Sequence, residues 1–138
     1  CWSAQRLSAV AVFEVDEEAG AAVKAHALAV KLPANAIICG GVLDVVKTFT
    51  SENDLATIAI SVAQANDIVV AKAINATGDV WDAGLQAIVP KSNTPETTGI
   101  KLTAEKAVTV TVGVEALTAG KFVLYLDYYE GIATETEE

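Results

Sequence analysis

Few side chains in this 138-residue sequence are suited to reaction chemistry. Its one histidine, His26, sits in an extended stretch, and a nucleophile triad or a histidine-rich metal site would need further groups converging on it that no motif supplies. His26 is therefore expected to fill a sheet face. Carboxylates gather at Glu14/Asp16/Glu17/Glu18, at Asp79/Asp82 and at Glu135/Glu137/Glu138. Calcium asks for about six to eight oxygens from spaced loop residues. The loop NATGDVWDAG offers Asn75, Asp79 and Asp82 without the spacing of an EF-hand, so it reads as a solvated turn. A paired-carboxylate glycosidase needs a cleft with aromatic sugar platforms, and Trp81 is the only internal tryptophan. Gly40-Gly41 is not followed by the Gly-Lys-Ser/Thr of a phosphate loop. The triplet Asn75-Ala76-Thr77 matches the glycosylation acceptor pattern, which matters only in a secreted eukaryotic protein. The expectation is no catalytic residue, no cofactor and no metal ligand.

Charge and composition narrow the partners. Nine Lys+Arg stand against eighteen Asp+Glu, a net charge of −9, the opposite of the clustered basic surface that phosphates require. Nucleic acid is excluded as an expected partner. No apolar run reaches the roughly 18 residues of a membrane span, and the opening CWSAQRL has neither the basic region nor the apolar core of a signal peptide. The chain is read as soluble and away from membranes. Cys1 and Cys39 set no disulfide framework. Cys39 is expected as an unpaired, buried small hydrophobe, with a bond to Cys1 as the alternative.

The elements that must position any functional residue are strands. Arg6 to Val15 alternates with Leu7, Ala9, Ala11, Phe13 and Val15 on one face. An acidic turn at Asp16–Gly20 separates it from extended structure over Ala21 to Leu32, and the two are expected to pair as an antiparallel hairpin. After a turn at Pro33–Asn35, the chain alternates from Ile37 to Thr50, with Gly40-Gly41 marking a bulge or a close backbone approach. Ala56 to Val62 alternates in turn. Ala65 to Ile74 is either a strand or an irregular helical turn capped by Asn66 or Asp67. Leu85 to Val89, Ile100 to Thr103 and Ala107 to Val114 are further strands, and Lys91 to Gly99 is an exposed loop. A turn at Ala119-Gly120 leads into Lys121 to Glu130, where Tyr125, Tyr128 and Tyr129 put aromatics on both faces, so something is expected to cover the outer one. About eight strands without a convincing long helix predict an all-β, antiparallel β-sandwich of jelly-roll type. It occupies residues 6–130, between an N-terminal arm over 1–5 and a flexible acidic tail over 131–138.

The segments QRLSAVAVFEV (Gln5 to Val15), LPANAIICGGVLDVVKTFT (Leu32 to Thr50), ATIAISV (Ala56 to Val62) and IKLTAEKAVTVTVGVEALTAGKFVLYLDYYEG (Ile100 to Gly131) together resemble a family of small all-β virion proteins of tailed bacteriophages. These act as capsid decoration or cement proteins or as closely related minor structural proteins. The resemblance implies a non-enzymatic protein on the capsid exterior that binds the major capsid protein, stabilises contacts between capsomers and assembles as a homotrimer. Candidate contact residues are Trp2 as anchor of the arm, Arg6 where the arm joins the first strand, Trp81, Tyr125, Tyr128 and Tyr129. The polar loop Lys91 to Gly99 and the acidic tail depart from the family pattern. The alternative is a carbohydrate- or host-surface-binding module of a tail or fibre component, with Trp81 lining a shallow groove.

Overall fold

The computed structural model describes residues 6–15, 22–63, 67–75, 81–88, 90–93 and 96–132. The arm with Cys1 and Trp2, the acidic turn at Asp16–Gly20, Asn66, Ala76, Thr77, Asp79 and the tail from residue 133 lie outside the described residues.

The first six strands are β1 (Arg6–Glu14), β2 (Ala25–Leu32), β3 (Ala36–Ser51), β4 (Thr57–Ser61), β5 (Val69–Ala73) and β6 (Gly84–Ile88). They are followed by β7 (Lys91–Asn93), β8 (Glu96–Thr98), β9 (Ile100–Lys101), β10 (Lys106–Gly113) and β11 (Leu117–Glu130). No helix occurs among the described residues. A five-stranded sheet runs β1-β11-β3-β6, with β9 also paired to β3, and a four-stranded sheet runs β2-β10-β4-β5. All of these pairings are antiparallel. The two sheets pack as the expected sandwich. Between them lie Phe13, Leu43, Phe122 and Leu124 from the larger sheet and Leu28, Ile58, Ile60 and Val110 from the smaller, all buried.

Period-two alternation explains most of these strands, because one face of each is apolar and the other is not. In β10, Val108, Val110 and Val112 are buried while Thr111 is exposed. All three phenylalanines of the sequence converge at one end of the core. Phe13 stacks on Phe122 at 5.5 Å between ring centres and on Phe49 at 6.1 Å, and Trp81 meets Phe49 edge-on at 5.9 Å.

Several expectations are corrected. β1 and β2 do not form a hairpin: β1 pairs with β11 in the larger sheet and β2 with β10 in the smaller, so the chain crosses the sandwich between them. A single alternation does not run through β3. Tyr128 faces Ile38 but Asp127 faces Gly40, which leaves Cys39 as the extra residue of a bulge. The bulge changes the phase, so Ile38 is buried before it and Leu43 and Val45 after it. At the start of β3, Ile37 lies on the outer face and is 36% exposed. Ala119-Gly120 is not a turn but an irregular point inside β11. The expected loop over 91–99 is a β7–β8 hairpin, its neck closed by the Gly99 amide donating to the Pro90 carbonyl at 2.7 Å. Val114 belongs to the turn after β10 and is 69% exposed.

Cys39 is half-buried and disulfide-bonded, not an unpaired buried thiol. Its Sγ lies 3.7 Å from the Asp127 carbonyl oxygen, a contact and not a hydrogen bond because a disulfide sulfur has no proton to donate. The one other cysteine of the sequence is Cys1.

Two glycines are needed where they stand. A Cβ on Gly41 would strike the Tyr125 carbonyl oxygen on the neighbouring strand. A Cβ on Gly120, at φ +140°, would enter the Phe49 ring. Gly120→Ala is therefore expected to cost about 1–3 kcal/mol through overpacking alone, read as a lower denaturant midpoint at unchanged slope. Cys39→Ser removes a constraint on the unfolded chain that is typically worth about 2–4 kcal/mol. A lower thermal midpoint is expected in that variant and, equally, in the wild type under reductant.

Candidate interaction surface

Strands β1, β11, β3 and β6 turn one face to the core and the other to solvent. On the solvent side, register lines side chains up in rows across the sheet. One row runs Val10, Tyr125, Val42, Ala87 and the next runs Val12, Val123, Asp44, Leu85. Val10 is 46% exposed, Val12 45%, Tyr125 43% and Leu85 72%. This is an open apolar surface on a sheet whose other side is already buried. Charge frames it at both ends: Glu14 and Lys121 pair at 3.5 Å beyond one end, and Lys101 on β9 stands at the other.

The expected contact residues fall in different places. Tyr125 lies in the middle of this open face, while Tyr128 points inward and packs against the core. Tyr129 is only 8% exposed. Arg6 starts β1 opposite Tyr129, and Trp2 lies outside the described residues. Trp81 is the clear correction. It is 0% exposed, wedged between Phe49 and Phe122, and its carbonyl accepts the Phe49 amide at 3.2 Å. A buried indole is a core anchor and offers no platform to a sugar or a protein, which removes the groove that the carbohydrate-module alternative relied on. Val10, Val12, Val123 and Leu85 were not singled out from sequence. Their alternation was visible, but which face of the first strand meets a second layer is set by the crossover.

Titratable groups serve the scaffold. His26 is buried, edge-on to Phe13 at 5.9 Å, and its Nε2–H donates to the Ala22 carbonyl at 2.7 Å. Asp67 is 1% exposed and its carboxylate accepts the Val62 and Ala63 amides at 2.9 Å each, tying the approach to β5 onto the end of β4. That bonding, with the β-branched run into Val69, resolves the ambiguous segment as a strand over Val69–Ala73. Among the described residues, no group of three or more His, Cys, Asp or Glu side chains lies together to hold a metal ion.

Among the described residues, Glu115 is the one strongly perturbed group. It sits in the β10–β11 turn directly after Val114, a β-branched residue held at φ +72°. From there its Oε1 accepts the Ser51 hydroxyl at 2.5 Å and the Asn53 and Leu55 amides at 2.9 Å each. Its Oε2 accepts the Asn53 side-chain amide at 3.2 Å. The Ser51 hydroxyl, followed by the Leu55 amide, draws the pKa from 4.5 to about 2. One carboxylate thus fastens the β3–β4 loop to the β10–β11 turn.

Chains of this fold occur in phage capsids. A chain of the acid-stable capsid of Helicobacter pylori bacteriophage KHP30 superposes with TM-score 0.56 at 17% identity, covering 99% of this chain and 100% of that one. A chain of the cyanophage Pam1 capsid gives 0.59 at 16% identity, with 94% and 87% covered. A chain of the capsid of Ralstonia phage GP4 gives 0.60 at 16% identity, with 95% and 88% covered. No protein-family profile and no curated protein sequence matches the chain. What these structures share with it is the fold, over nearly its whole length.

The folded Glu115 binds protons more weakly than the unfolded one. Its stabilising contribution is therefore complete above about pH 4.5 and disappears as pH falls through about 2. Glu115→Gln is expected to lose this acid dependence and to speed amide exchange at Asn53 and Leu55, measured by hydrogen exchange at neutral pH. Unchanged protection there would contradict the clamp.

Proposed function

We propose that this chain is a non-enzymatic bacteriophage virion protein that decorates the capsid exterior, binds the major capsid protein and stabilises contacts between capsomers. The observation that carries this reading is the whole-length agreement of the fold with chains from three phage capsids. The interleaved strand order, in which the first and last strands lie side by side and β2 pairs with β10, supports the jelly-roll type expected of such a protein.

Three physical features agree with it. The carboxylates of Glu115 and Asp67 are engaged in holding loops, which suits adhesion better than reaction. A disulfide at Cys39 persists where the surroundings are oxidising, which includes virion surfaces and supports placement outside the shell. The net charge of −9 makes contact with packaged nucleic acid unfavourable. A cement role also asks for many identical weak contacts acting together, for which a homotrimer is the proposed arrangement, with Trp2, Arg6 and Tyr125 as proposed contacts to the shell.

The test mixes purified protein with capsids of the encoding phage that lack it, followed by sedimentation, with light scattering on the free protein. Saturable co-sedimentation, raised resistance of the particle to heat, and a trimeric mass are expected. A protein that leaves the shells unbound at micromolar concentration would overturn the reading.

A further inference from the structure

The open face of the five-stranded sheet has the layout of a protein contact: an apolar middle with charges at its margins. Its two central rows cross four strands, roughly 15 Å at ordinary strand spacing. On the smaller sheet, the outward row Ala25, Thr111, Ala59 is small and partly polar, and Val70 on the edge strand β5 is an exposed valine there. The apolar middle is interrupted by acid. Asp44 stands between Val123 and Leu85, and Asp127 lies between Ser8 and Gly40 one row beyond Tyr125. Among the described residues, neither carboxylate has a hydrogen bond or an ion pair.

That charge pattern selects the occupant. Two copies stacked face to face would bring their own Asp44 and Asp127 carboxylates into one desolvated layer, in a chain that already carries −9. A covering surface that is apolar and carries lysine or arginine opposite Asp44 satisfies both the valine rows and the two carboxylates.

We propose that this sheet face is the docking surface for such a basic and apolar protein surface, and that it is the face turned toward the capsid shell. The partner's identity rests on the function proposed above, whereas the chemistry of the contact rests on the face itself. Tyr125 and Val12 supply the apolar anchors. Asp44 sets orientation and excludes surfaces that lack a cation.

The experiment measures binding to shells lacking the protein for wild type, Val12→Glu, Asp44→Lys and, on the outer side of the smaller sheet, Thr111→Glu. Each variant is first checked for an unchanged circular dichroism spectrum and thermal midpoint, and a milder pair, Tyr125→Ala and Asp44→Asn, replaces any that fails to fold. Val12→Glu and Asp44→Lys are expected to weaken binding about tenfold or more, with Thr111→Glu unaffected. Added salt is expected to weaken wild type more than Asp44→Asn. Wild-type binding with equal affinity in Val12→Glu and Asp44→Lys overturns this face while leaving the capsid reading intact. No wild-type binding overturns both. A wild-type oligomer that Val12→Glu converts to monomer makes the face a self-contact and overturns the assignment to the shell.

Discussion

The antiparallel pairing of β3 with β11 is the constraint on which the rest of the molecule depends. Sixteen residues of one and fourteen of the other run side by side at the centre of the larger sheet. The partners are far apart in sequence, Ala36 with Glu130 and Ser51 with Leu117, so even the innermost pair closes a loop of nearly half the chain before it gains a single ladder bond. Register is then held by side chains that fit only one way. Gly41 admits the Tyr125 backbone, Gly120 admits the Phe49 ring, and the bulge at Cys39 lets both ends of β3 present an apolar residue to the core.

The two faces of that central pair carry different tasks. Inward, Leu43, Val45, Phe122 and Leu124 complete the core with the smaller sheet. Outward, Tyr125 and Val123 continue rows that begin on β1 and end on β6, so the same backbone ladder that sets the core also assembles the apolar outer surface. A sheet buried on one side can leave the other apolar only at some risk of aggregation, and Asp44 and Asp127 within that surface limit the partners it accepts. The loops are governed by single carboxylates, Glu115 at the β3–β4 and β10–β11 connections and Asp67 before β5. Both satisfy backbone amides that a turn would otherwise expose.

Likeness at 16–17% identity to chains of three phage capsids is understandable in these terms. Alternating apolar and polar positions can be filled by many residue combinations, so strand order and layer packing outlast the individual side chains.

Period-two alternation by itself determined that this chain is all-β and where most strands lie, because a pleated strand writes its buried face directly into residue order, and the Gly40-Gly41 pair marked a bulge or a close backbone approach. Tertiary structure alone decided which strand pairs with which, since β1 and β2 read as a hairpin yet join different sheets. It also decided that Trp81 is core and Tyr125 surface, because an aromatic side chain suits either environment and only the crossover between layers selects one. The clamp at Glu115 and the bonded state of Cys39 were hidden for the same reason: each depends on a partner whose distance in space is fixed by packing and not by spacing along the chain.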